Sequence, residues 1–141
     1  MPPLTRWFIK TSFACLILAA ALALLMAVLP VFNIGNAGGL FVVYIHLFAL
    51  GWLTELAFGV IYWMFPTASK ERPRGSEALG WWTYALLNAG LFIRAIAEPV
   101  NASRPNPVSG WALVLSAIMQ FLAGLLFVVN SWPRVRGKQQ A

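Results

Sequence analysis

Few side chains in this 141-residue chain can do chemistry: one histidine, one cysteine and four carboxylates, all of them glutamate. His46 and Glu55 lie in the same apolar run, and both are expensive to bury in hydrocarbon. A neutral imidazole is cheaper to bury than a charge. It is also a common axial ligand of haem iron. Two readings of His46 therefore stand side by side, a haem ligand or a ring hydrogen-bonded to a neighbouring helix. Glu55 follows by nine residues, which at α-helical spacing puts it half a turn away from His46. A carboxylate near the membrane midplane takes a proton or a partner, and Gln120 at similar depth is the expected partner. Ser116, Gln120 and Gly124 form an i, i+4, i+8 stripe, a pattern that marks helix packing. Packing is the leading reading for this group and a proton relay through Glu55 the lesser one. Asn88 and Gly90, and Gly51 with Gly59, also read as close helix contacts.

Two further residues could serve a cofactor. Arg94 precedes Glu98 by four residues. Its guanidinium could pair a haem propionate, or it could snorkel to headgroups with Glu98 beside it. Met26 falls near the end of the first apolar run and could supply a thioether ligand. Cys15 sits alone within an apolar run, so it makes no internal disulfide or zinc site and reads as a packing residue. No phosphate loop, nucleophilic triad or carboxylate pair appears. A complete catalytic centre is not expected, and no residue is assigned a catalytic role.

The elements that position these groups follow from composition. Sixty per cent of the residues are hydrophobic and 10% are charged, and the mean hydropathy is +0.75. Soluble domains carry about a quarter charged residues, so the expected solvent is lipid. Four apolar runs approach the roughly 20 residues that cross a bilayer. The expected spans are about 7–31, 40–65, 77–97 and 109–132, each ended by a proline: Pro30, Pro66, Pro99 and Pro133. This predicts an all-α, four-helix transmembrane bundle forming one domain. The first helix is read as retained rather than as a signal peptide, because its apolar run is too long.

The net charge of +6 sits at the ends of apolar runs, so it argues for membrane topology and not for nucleic acid. With the N-terminus inside, Arg6, Lys10, Lys70, Arg72, Arg74, Arg134, Arg136 and Lys138 are cytoplasmic. These are eight of the ten basic residues, and the positive-inside rule then gives an N-in, C-in protein.

The stretch His46-Leu47-Phe48-Ala49-Leu50-Gly51-Trp52, continuing through Phe58-Gly59-Val60-Ile61-Tyr62 to Pro66, resembles a transmembrane helix of haem-copper oxidase subunit I and of nitric oxide reductases. In that family the helix supplies a histidine to low-spin haem b. The resemblance implies a small bacterial inner-membrane protein holding haem b through His46, for electron transfer or for gas or redox sensing. The other histidines of the family's reducing centre are missing here, which excludes a complete reductase. A sixth iron ligand would come from His46 of a second copy, from Met26, from a partner subunit, or not at all. The other readings are a cofactor-free accessory subunit of a respiratory complex and a small transporter using Glu55 and Gln120.

Overall fold

The computed structural model describes residues 1–32, 34, 38–67, 70–71 and 73–135. Arg72, Arg136 and Lys138 of the charge argument lie outside the described residues, as does part of the first expected loop. The described chain holds four long helices: α1 (Pro3–Val28), α2 (Leu40–Met64), α3 (Glu77–Ser103) and α4 (Pro107–Ser131). Short 3₁₀ turns continue α1 over Leu29–Phe32 and α4 over Trp132–Arg134.

The helix starts follow local chemistry. Pro3 and Pro107 occupy first-turn positions, where the missing N–H costs nothing. The Ser76 side chain accepts from Leu79 N, with Glu77 in the first turn of α3. The Asn106 side chain accepts from Ser109 N at 2.9 Å. Gly39, at φ 83°, opens α2 and lies against the α3 backbone; an added Cβ would stand 2.7 Å from Glu98 O.

One boundary departs from the sequence reading. α3 does not stop before Pro99 but runs through it to Ser103. Proline removes one ladder bond and crowds the preceding turn. Here the last turn is held by one side-chain bond within α3 and one from α4. Ser103 Oγ donates to Pro99 O at 2.8 Å, and Ser109 Oγ of α4 donates to Asn101 Oδ1 at 2.8 Å. The second turn-forming segment of the expected loop is therefore helix, and α4 begins at Pro107 rather than at residue 109.

α2 is not a uniform α-helix. Its middle, Leu47–Thr54, is π-helical. Thr54 Oγ1 donates to Ala49 O at 2.8 Å, five residues back, which matches the wider turn. A π stretch turns by less per residue than an α-helix, so the half-turn offset expected between His46 and Glu55 does not carry through it.

α1 packs along α2, and α3 along α4. Glycines set the close approaches. A Cβ on Gly51 would meet Cys15 Cβ and Sγ at 2.8 Å, and one on Gly59 would meet Phe8 Cβ at 2.9 Å. The cores are Cys15–Ala19–Val43–Leu47 between α1 and α2, Leu4–Phe8–Tyr62 at the end where α1 starts, and Leu87–Leu91–Ala123 between α3 and α4.

The outside is apolar, with Ile17, Leu24, Phe92, Phe121 and Trp111 among the exposed side chains. Pro3–Phe32, Leu40–Met64 and Pro107–Arg134 are long and apolar enough to cross a membrane. Buried cores this thin under so much exposed hydrocarbon fit a lipid solvent. α3 is long enough but less apolar.

Candidate functional site

His46 stands half-buried at the junction of the α and π parts of α2. Its Nδ1 lies 2.8 Å from Val42 O, one turn back. A carbonyl can only accept, so Nδ1 carries the hydrogen and Nε2 is left with a lone pair. That is the tautomer of a histidine ready to bind a metal. Its neighbours Val43 and Leu47 point into the core, whereas Ile45 is exposed. The ring therefore sits on the flank of the bundle rather than in its centre.

The residues expected to complete a haem site are not gathered around this ring. Cys15 opposite Gly51 and Phe8 opposite Gly59 fix the antiparallel register of α1 and α2. In that register Met26 lies level with Leu40, six residues from His46, or about 9 Å along the axis. Arg94 lies at the depth of His46 but belongs to the α3–α4 seam. Its Nη1 donates to Glu98 Oε1 at 2.7 Å and its Nε to Ser116 Oγ at 3.3 Å. The pair is about 15% exposed at each side chain.

Ser116 is fully buried and organises that seam. Its Oγ donates to Gly90 O at 2.7 Å and accepts from Gln120 Nε2 at 3.3 Å as well as from Arg94. Gly90 permits this, since a Cβ there would stand 2.9 Å from Gln120 Cγ. Gly124, third in the stripe, has nothing within 4 Å of an added Cβ. The stripe packs through two of its three members.

Glu55 and Gln120, expected as partners, belong to different clusters. Glu55 is 0% exposed between α1, α2 and α3. Its Oε1 accepts from Asn88 Nδ2, which also donates to Tyr84 O at 3.0 Å. Thr11 and Tyr84 flank the carboxyl. Thr11 Oγ1 donates to Trp7 O at 2.8 Å, and Glu55 Oε2 is buried with no hydrogen-bond partner among the described residues. The sequence reading took Asn88 only as a packing residue. The missed signal was depth, since an antiparallel α2–α3 pair sets both groups at one level.

Arg134 was also read differently, as a cytoplasmic charge. It is 1% exposed. Nε donates to Pro66 O at 3.1 Å, and Nη2 to Tyr62 O at 3.1 Å and Phe65 O at 2.8 Å. The guanidinium thus caps the C-terminal carbonyls of α2, the negative end of the helix dipole. The Tyr62 and Phe65 rings lie under it, at 5.8 and 5.9 Å.

No family model, curated protein or solved structure matches this chain. The residues themselves therefore carry the functional argument. Among the described residues no group of three or more His, Cys, Asp or Glu side chains could hold a metal ion.

Proposed function

We propose that this chain is a four-span, N-in and C-in membrane subunit that binds haem b through His46 at an interface with a second chain. α3 counts as the fourth span on this reading. It lies along α4, and its mid-membrane polar groups are met by Glu98, Ser116 and Glu55 rather than by lipid.

The single observation that supports the haem is the Nδ1–Val42 hydrogen bond. It holds the ring in one tautomer and leaves Nε2 for iron. The ring's place on the flank of α2 suits a porphyrin lying between chains better than one enclosed by a single chain. A second copy would contribute its own His46 in an isologous arrangement, and a larger respiratory subunit would contribute a different ligand. When bound, the haem would supply one-electron transfer. The protein's part is to fix ligand, depth and access.

The test is a reduced-minus-oxidised visible spectrum of the purified, haem-supplied protein. A Soret band that His46→Ala removes supports the reading. Protein without haem, or a spectrum indifferent to that substitution, sinks it.

A second reading is favoured by a different observation. Arg94 is already paired with Glu98, and Met26 is out of register, so neither residue expected to serve a haem at His46 reaches toward it. A cofactor-free accessory subunit of a respiratory membrane complex fits that arrangement. It would co-purify with a larger complex while its own chain carried no pigment.

A further inference from the structure

The polar seam around Glu55 is independent of His46 and is built unevenly along its length. On the side of Glu55 toward the start of α1 lie Thr11, Tyr84, Thr83 and Thr5. Thr83 and Thr5 are fully buried, and Thr5 Oγ1 has no partner among the described residues. Beyond them is a cavity of about 370 Å³ lined by Leu4, Tyr62, Arg74, Ser76 and Glu77 among others. At about 30 Å³ per molecule, it has room for several waters. On the opposite side of Glu55 the buried residues of the seam are Cys15, Gly51, Ala19, Leu47 and Val43, none with a hydroxyl or amide, and the hydroxyl-bearing residue packed against that cluster is Tyr44, at its far end.

We propose that Glu55 is a mid-membrane proton-binding site, holding its proton on Oε2 while Oε1 accepts from Asn88, and exchanging it only toward the end of the bundle where α1 begins. Among the described residues no cationic side chain faces Glu55. Thr11 and Cys15 face it from α1, and Tyr84 and Asn88 from α3. An ionised carboxylate so placed would be unpaired in low dielectric, and such groups neutralise instead. Oε2, buried and without a donor, is where an acid hydrogen belongs. Exchange is one for one: a proton leaves Oε2 through the Thr11 hydroxyl as another arrives by the same row, and no electrons move. The apolar half of the seam closes the other direction.

Infrared spectroscopy of the full-length protein in lipid vesicles tests this. The expected result is a carbonyl stretch of a neutral carboxylic acid at neutral pH. Glu55→Gln should remove it, Glu98→Gln should retain it, and D₂O should shift it. Thr11→Val should slow that shift severalfold. If Glu55→Gln does not fold, Asn88→Leu keeps the carboxyl and frees its Oε1, which should raise the carbonyl frequency. Absence of a neutral-acid band overturns the proposal, as does a band that survives Glu55→Gln or ignores Asn88→Leu. A band that vanishes when sodium replaces choline would make this a cation site instead. An exchange rate unchanged by Thr11→Val would overturn the route. None of these readouts uses haem, so the failure of one proposal leaves the other standing.

Discussion

Asn88 of α3 donates from Nδ2 to Oε1 of Glu55 in α2, joining the two helices through a fully buried carboxyl and a half-buried amide. The same amide donates to Tyr84 O one turn back. Asn88 is therefore held in one rotamer by its own helix before it meets the carboxyl. The pair fixes the register of α2 against α3 at a depth where neither group has an alternative partner in lipid.

Asn88→Leu should accordingly destabilise more than its size suggests, because it leaves both carboxyl oxygens unsatisfied. Interhelical hydrogen bonds in membranes average about 0.6 and reach about 1.7 kcal/mol. The upper part of that range is expected here. Glu55→Leu combined with Asn88→Leu should cost less than Asn88→Leu alone, since removing both partners removes the stranded group. Unfolding in mixed detergent micelles measures the difference. A double variant weaker than the single one would show that the pair does not act as a unit.

Glycines that look alike in sequence should respond in opposite ways. Gly51→Ala places a methyl 2.8 Å from Cys15 Cβ and Sγ, so α1 and α2 must part. Overpacking of this kind costs about 1–3 kcal/mol. Cys15→Gly in the same chain should recover part of the loss. Gly124→Ala meets nothing within 4 Å and should be neutral or stabilising, by up to about 1 kcal/mol of helix propensity. Thermal unfolding of the three variants in one detergent checks the set.

These glycines show how far the sequence can be read. Gly51 and Gly59 were legible as one face of α2 because each leaves room for a side chain of α1. Gly124 was read by the same spacing rule and has no helix beside it, since periodicity marks a face without saying what covers it. Helix number and order followed from apolar runs and their prolines, yet Pro99 does not end α3, whose last turn is held at Asn101 by Ser109 of α4. The π turn in α2 left no trace in composition. It changes which residues share a face with His46. Gln120 was expected beside Glu55 on depth alone, and Asn88 meets the carboxyl instead; of the polar residues singled out, Glu55 and Ser116 are fully buried.

Arg94 tests the α3–α4 seam. Its bonds to Glu98 and to Ser116 cross from one turn of α3 to the next helix. Arg94→Ala strands Glu98, which is 15% exposed, and removes one of the two donors to Ser116. Arg94→Lys keeps the charge but cannot reach both partners with a planar fork. At about 15% exposure each side chain is mostly buried, so a loss of about 1–3 kcal/mol is expected for either substitution, between that of a surface pair and that of a buried one. Adding Glu98→Gln to Arg94→Ala should return most of it. A much larger loss, or one unchanged by salt, would mean that the seam is drier than its exposure implies.

Arg134 should matter more than any other basic residue among those described, although sequence alone groups it with the topology-setting charges. Its guanidinium meets three carbonyls at the end of α2 and is 1% exposed. Arg134→Ala leaves those carbonyls without their donor at a helix end that packs against α4's final turn. Hydrogen bonds involving a charged group contribute about 1.5–3 kcal/mol each when buried, but the removed charge also carried a desolvation cost. A net loss near the value of one such bond is therefore expected. Arg134→Lys should recover little, because one ammonium cannot span carbonyls on both sides of Phe65. Arg74→Ala, at an exposed position in the preceding loop, is the control and should change stability by less than about 0.5 kcal/mol. Amide hydrogen exchange gives the local readout. Faster exchange confined to the last turn of α2 in Arg134→Ala, and absent in Arg74→Ala, is the expected pattern. Uniform acceleration across the bundle would instead make Arg134 a general packing residue rather than a cap.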